Sequence, residues 1–281
     1  MDTLKIKNKF TPFLRWTGSK RWFVNKYLFD FLPESFNNYH EPFLGAGSVF
    51  FHLIQSNEKK DRIFYISDTN EDLINTYMQL RDNPNEVIKH LKDLKNTSDD
   101  YYRIRDENPL IKAQRAARFI YLNKTSFNGI YRVNSKGVYN VPYGKRENID
   151  IVNEKLLFEI SAKLENVIIT NKSFELSLDN VNKNDLIFID PPYTVAHENN
   201  GFIEYNQKLF SWEDQVKLKN YIEEIIRREA FFILTNASHI SILELYKDIG
   251  IISKLSRNSQ VGGRVKTRGI YSELIICNTR A

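Results

Sequence analysis

The chain of 281 residues has one cysteine, Cys277, so no internal disulfide can hold it together. Its five histidines are scattered and form no Cys/His cluster, which leaves no metal-site spacing to read. No apolar run approaches the ~18 residues of a membrane-spanning helix, and the charged start holds no apolar stretch of signal-sequence length. A soluble cytoplasmic protein is the expectation, with a monomer as the default. Charge of one sign is also scarce in excess. Lys plus Arg number 40 against 35 Asp plus Glu, a net +5 with pI near 9.0, which permits an anionic partner without requiring one. There are no internal repeats and no low-complexity segment. What is present is material for a core: 42% hydrophobic and 13% aromatic residues, enough for one large or two modest domains.

The most informative stretch is Asp190-Pro191-Pro192-Tyr193, directly after the apolar run Leu186 to Ile189. Such a run reads as a buried strand, and two prolines cannot continue its hydrogen-bond ladder. A carboxylate, a proline carbonyl and an aromatic ring therefore gather at the carboxyl end of a strand, where open α/β sheets bind ligands. Carboxylate and carbonyl both accept from an NH2 group while the ring stacks on a planar face, which suits adenine or cytosine. An ordinary Asp-Pro turn after a core strand is the alternative.

A second cluster lies upstream. Tyr39 to Leu44 reads as a strand running into Gly45-Ala46-Gly47 and a helix over Ser48 to Ile54. Strand, glycine turn and helix bring backbone close to a nucleotide-like ligand, although Phe50 stands where a dinucleotide fingerprint has its third glycine. A further strand over Ile63 to Ile66 leads to Asp68, at the separation from Gly45 where an acidic residue accepts from ribose hydroxyls. Capping of the helix Glu71 to Leu80 is the other role open to Asp68, which Thr69 or Asn70 can fill instead. Ahead of both, Phe13 to Lys20 is a short apolar segment broken by a glycine turn, and Trp22 to Leu32 reads as an amphipathic helix.

Between about residues 81 and 153 the character changes. Polar helices are expected over Glu86 to Leu94, Tyr101 to Glu107 and Gln114 to Tyr121. Phe127 to Arg146 then alternates about Ser135-Lys136-Gly137 as a β-hairpin, with Arg132, Lys136, Lys145 and Arg146 among Phe127, Tyr131, Tyr139 and Tyr143. A basic, aromatic, two-stranded ribbon fits a DNA groove; a solvated hairpin has the same composition. The α/β pattern resumes with strands at Val167 to Thr170, Leu186 to Ile189, Phe231 to Leu234 and Glu273 to Cys277, and a helix from Trp212 to Arg228 capped by Ser211. Polar loops are expected at Val195 to Gln207 and, with basic residues, at Ser256 to Gly269.

Taken together, these motifs resemble the Dam-type adenine-N6 DNA methyltransferases of the α-ordered class. Phe13 to Lys20 resembles that family's N-terminal motif, with Ser19 in place of its second glycine. Glu41 to Gly47 is similar to its S-adenosylmethionine loop, Ser67 to Asn70 to its ribose motif, Phe127 to Gly144 to its recognition hairpin, and Asp190 to Tyr193 to its catalytic signature. The resemblance implies a Rossmann-like α/β sheet of residues 1–80 and 154–281, with an inserted helical and β-hairpin DNA-recognition domain, 81–153. It implies that Trp16, Lys20, Asp68 and Asp190 line a site for S-adenosyl-L-methionine. Phe43, Gly45 and Gly47 would lie beneath the methionine part, and Phe174 against the adenine ring. Arg15 and Arg132 would read guanines of GATC in double-stranded DNA, with Asn128, Ile130 and Pro142 completing the groove contacts. Arg146 falls near a position where some members carry an aromatic.

The chemistry expected is direct transfer. A flipped adenine would stack on Tyr193 and donate its N6 hydrogens to the Asp190 carboxylate and the Pro191 carbonyl, turning the nitrogen lone pair toward the methyl group. Rival readings are an amino-methyltransferase for cytosine N4 or RNA, a DNA-binding protein without activity, and a nicotinamide dehydrogenase, the last disfavoured by the missing glycine.

Overall fold

The computed structural model describes residues 12–57, 59, 61–134, 137–194, 210–258 and 270–279. The expected loop over 195–207, Lys136 and most of the expected loop over 256–269 lie outside the described residues. From the N-terminus the elements are α1 (Arg21–Lys26), α2 (Leu28–Phe31), β1 (Tyr39–Glu41), α3 (Ser48–Gln55), β2 (Phe64–Asp68), α4 (Glu71–Asp82), α5 (Pro84–Lys92), α6 (Ser98–Asp106) and α7 (Lys112–Thr125). They continue with α8 (Glu154–Leu164), β3 (Val167–Asn171), β4 (Leu186–Ile189), α9 (Trp212–Arg227), β5 (Phe231–Ala237), α10 (Ile240–Tyr246), β6 (Ile251–Asn258) and β7 (Ile270–Cys277). The fold is α/β, packed as two compact units, Met1–Arg21 with Leu44–Lys172 and Trp22–Phe43 with Ser173–Ala281.

In the second unit β1, β4 and β5 run parallel, and β7 then β6 add antiparallel beyond β5. All four residues of β4 are buried. Burial of each such side chain contributes about 1.5–3 kcal/mol, which fixes this strand as a core element. Leu218, Tyr221, Ile222 and Ile225 of α9 and Ile242 and Tyr246 of α10 join Ile187, Ile189, Phe232 and Leu234 in one hydrophobic core. Helix α9 begins with the expected capping box between Ser211 and Asp214. Cys277 is buried on β7, as its apolar run implies. Strand β6 lies inside a segment read only in part, as a loop; its Ser253, Lys254 and Ser256 mask the alternation that one wet sheet face produces.

The first unit holds the parallel pair β2 and β3, with register Phe64↔Val167 through Asp68↔Asn171, and the helices α3 to α8. Helix α4 packs on α7 and α8. Pro84 ends α4 as expected and sits in the first turn of α5, where its missing N–H is harmless. The residues 81–153 all belong to this unit.

Three expectations are corrected. Strand β1 stops at Glu41 because Pro42 cannot extend the ladder. The single helix over 22–32 breaks at Tyr27, where φ is −127°. The expected continuous hairpin over 127–146 is an irregular ribbon with only isolated antiparallel bridges, Ser126↔Tyr143 and Val133↔Tyr139, among the described residues. Its ladder is interrupted by a 3-10 turn at Phe127–Gly129, with Asn128 at φ 57°, and by Pro142, which has no N–H to donate.

Candidate active site

In the second unit the parallel register Ile189↔Leu234 places the next residues, Asp190 and Thr235, side by side just past the end of β4. The buried Thr235 hydroxyl donates to Asp190 Oδ1 at 2.7 Å. Pro191 is buried, Pro192 exposed and Tyr193 half-buried. The Tyr193 hydroxyl donates to Glu273 Oε2 at 2.7 Å, and Glu273 is only 1% exposed. Below this turn runs a buried polar chain. The Gln215 amide donates to Thr194 Oγ1 at 3.1 Å, while Asn236 Nδ2 and the Tyr246 hydroxyl donate to Gln215 Oε1 at 3.2 and 3.0 Å. A satisfied network of this kind holds the turn in one geometry. Phe43 and Phe174, expected beside the cofactor, are brought together: their rings stack at 5.3 Å. Phe174 is buried, with Tyr221 edge-on to it at 5.3 Å.

In the first unit the glycine turn after Leu44 has Gly45 at φ 48° and Gly47 at φ 65°, conformations that favour glycine. A Cβ on Gly45 would stand 2.8 Å from Trp16 Cδ1, so the indole lies directly over the turn. Asp68, at the end of β2, closes it from behind: Gly45 N–H donates to Asp68 Oδ2 at 3.1 Å and Asn70 N–H to Oδ1 at 2.9 Å. Burial pushes the Asp68 carboxyl up, against the pull of backbone N–H groups from Asn70, Gly45 and Thr69. Asn70, not Asp68, caps α4, accepting from Leu73 N–H at 3.0 Å. Lys20 is buried and donates to the Gly18 carbonyl at 2.9 Å. Ser19, the departure from the motif's second glycine, exchanges a hydrogen bond of 2.8 Å with Ser48 at the start of α3. A bare glycine backbone with a half-buried carboxylate behind it and an indole above it suits an adenosyl ligand.

The same unit carries the expected base readers. Asn123, buried near the end of α7, accepts from Arg15 N–H at 2.8 Å and donates to the Arg15 carbonyl at 2.7 Å. One amide thus satisfies both backbone groups of Arg15, as a neighbouring strand would. The Arg15 stem crosses Gly129, where a Cβ would meet its Cδ at 2.5 Å. Trp16 stacks on Tyr131 of the ribbon at 5.5 Å and 17°. Arg132 is exposed, its Nε donating to Asn140 Oδ1 at 2.8 Å and one terminal nitrogen to the Asn140 carbonyl at 3.3 Å. Asn128 and Pro142 are exposed and Ile130 half-buried.

Arg146 points inward, donating to the carbonyls of Lys124 and Ser126. It lines a cavity of about 580 Å3 with Arg15, Arg21 and Lys124. Burial and then the Arg15 charge lower the Arg146 pKa; burial also lowers that of Lys124, against the pull of Asp150. Four cations and one carboxylate, Asp150, therefore line one cavity, a net positive arrangement that favours an anion.

Thr235, Glu273, Gln215 and Asn123 were not legible as site residues. Glu273 alone carried a signal, a carboxylate directly before the apolar run Leu274 to Cys277. Among the described residues no group of three or more His, Cys, Asp or Glu is placed to hold a metal, and no helix is long and apolar enough to cross a membrane.

The sequence profile described as D12 class N6 adenine-specific DNA methyltransferase matches residues 16–260. The type II methyltransferase M1.LlaDCHI of Lactococcus lactis subsp. cremoris is 36% identical, with 98% of this chain and 97% of the relative aligned. M.MjaIII of Methanocaldococcus jannaschii, also a type II methyltransferase, is 33% identical over 95% of this chain and 98% of its own length. The DNA adenine methylase of Escherichia coli K12 is 28% identical, with 85% of each chain covered. With a profile spanning most of its length and relatives aligned nearly end to end, this chain belongs to the D12 class of N6 adenine-specific DNA methyltransferases, which use S-adenosylmethionine as methyl donor.

Proposed function

We propose that the protein is a type II methyltransferase that methylates adenine N6 within GATC in duplex DNA, acting as a cytoplasmic monomer on a base flipped out of the helix. The observation that carries the chemical part is Asp190, held at the end of a fully buried strand with one oxygen already engaged by Thr235. Bound S-adenosylmethionine supplies an electrophilic sulfonium methyl. Asp190 and the Pro191 carbonyl accept the two N6 hydrogens of the target, and the Tyr193 ring stacks on its face. The lone pair, withdrawn from the purine ring, then points along the transfer direction. Trp16, Lys20 and Asp68 would line the cofactor site, Asp68 by accepting from ribose hydroxyls, with Phe43, Gly45 and Gly47 beneath the methionine part and Phe174 against the adenine ring. Residues 1–80 and 154–281 do this work, and 81–153 recognise DNA.

Arg15 and Arg132 read guanines, each forked guanidinium matching O6 and N7. Asn128, Ile130 and Pro142 complete the groove contacts, with Arg146 as a further DNA-binding residue. The exposed Arg132 and the Arg15 backbone clamped by Asn123 support this reading. Transfer of labelled methyl to a duplex with one GATC, beside duplexes altered at each base, tests it. Label confined to the GATC adenine is expected. Label on other GAT-containing duplexes overturns the site, and equal label on single strands overturns the duplex requirement.

A further inference from the structure

We infer that Thr235 and Glu273 are positioning residues for methyl transfer: Thr235 sets the plane of the Asp190 carboxylate and Glu273 sets the plane of the Tyr193 ring. The two come from adjacent strands, β5 and β7, whose antiparallel register pairs Thr235 with Ile275 and Ala237 with Glu273. They therefore form a rigid shelf beside the turn that ends β4. Thr235 is fully buried and β-branched, so its hydroxyl direction is restricted by the backbone that carries it. Its bond of 2.7 Å to Oδ1 fixes rotation of the carboxylate about its Cβ–Cγ bond. Glu273, at 1% exposure, takes the Tyr193 hydroxyl at 2.7 Å and so ties the far end of a ring whose near end is attached through the Pro-Pro turn.

Both anchors act on orientation and neither touches the substrate. A buried carboxylate is costly to retain where a hydrophobic side chain would pack, and the bond to Tyr193 engages one of its two oxygens. Pre-set orientation raises the rate of the chemical step and leaves ground-state binding nearly unchanged.

This inference rests on the proposed reading of Asp190 and Tyr193 as the amine-binding pair, and the experiment separates the two. Single-turnover transfer, cofactor and DNA affinities and thermal midpoints are measured for Thr235→Val, Thr235→Ser, Glu273→Ala, Tyr193→Phe, the Glu273→Ala/Tyr193→Phe double variant and Asp190→Ala. Thr235→Val should slow transfer by roughly ten- to a hundredfold with both affinities retained, and Thr235→Ser should restore most of it. Glu273→Ala and Tyr193→Phe should each slow transfer, and the double variant should be no slower than the worse single. With 2-aminopurine at the target position, Glu273→Ala should also change the fluorescence of the bound duplex, as stacking on a freed ring changes. Loss of affinity in step with rate, no rescue by serine, or additive losses in the double variant overturns the inference. Near-normal transfer by Asp190→Ala instead overturns the reading beneath it.

Discussion

The turn that ends β4 and the ribbon over 126–144 are both short, irregular and built around residues that cannot join a ladder, yet they are held differently. Asp190 and Tyr193 are gripped from outside, by Thr235 and Glu273 on neighbouring strands 45 and 80 residues away in sequence. The tip of the ribbon grips itself, with Arg132 bonded to Asn140 and Asn134 Oδ1 accepting from Val138 N–H at 3.0 Å, while its base is tied to the rest of its unit by the Tyr101 hydroxyl on the Val141 carbonyl at 2.8 Å and by the Trp16 ring stacked on Tyr131. A turn fixed by a sheet keeps its geometry only while the sheet does, which suits an unchanging reaction. A ribbon whose tip is fixed by its own side chains can exchange that tip without disturbing the core, which suits a replaceable specificity.

The comparison is broken most severely at the turn. Asp190→Ala should lower single-turnover methyl transfer by at least about a thousandfold while filter binding to DNA stays near its original strength. Loss of both together would mean that the turn is as much a binding device as the ribbon. Next come two glycines in the first unit, each with left-handed backbone and each overlaid by a residue of the N-terminal motif. Gly45→Ala should weaken S-adenosylmethionine binding by about 1–3 kcal/mol, read by calorimetry, and Gly129→Ala should cost a similar amount in discrimination for the cognate duplex. Crossed effects would erase the division between cofactor turn and ribbon.

Arg132→Ala should reduce preference for one guanine by about 1–3 kcal/mol in competition between cognate and altered duplexes. Asn140→Ala, which only unclasps Arg132, should recover part of that preference. Equal weakening on every duplex would make Arg132 a phosphate contact. The smallest effect concerns acidity. Burial raises the Asp68 pKa, and on the proposed reading ribose hydroxyls donate to its ionised form, so cofactor affinity should be full above that raised value and fall as pH drops through it. The fall should begin above the value of an ordinary aspartate, and Asp68→Asn should flatten it.

Much of the fold was legible because burial writes a simple pattern. Leu186 to Ile189 and the helix after Ser211 stand where an apolar run and a capping box place them. The turn residues were legible for a similar reason, since two prolines can only end a strand. What could not be read was set by partners far along the chain. Thr235 matters through its register with β4, and Asn123 through a backbone 108 residues earlier. Local alternation was also an unsafe guide in the ribbon, where Asn128 and Pro142 override it. Strand β6 hid behind its polar residues, because an edge strand with one wet face has little hydrophobic period to show.

Arg15 and Trp16 are consecutive, yet each leans on a different glycine, Arg15 across Gly129 of the ribbon and Trp16 across Gly45 of the cofactor turn. Their Cα atoms are one trans peptide apart, so a backbone shift that carries one side chain off its glycine reaches the other. In genetic terms the two positions should behave as one locus: a substitution at 16 that moves this backbone should be felt at Gly129, and a library that varies 15 should select, unasked, for partners at 16.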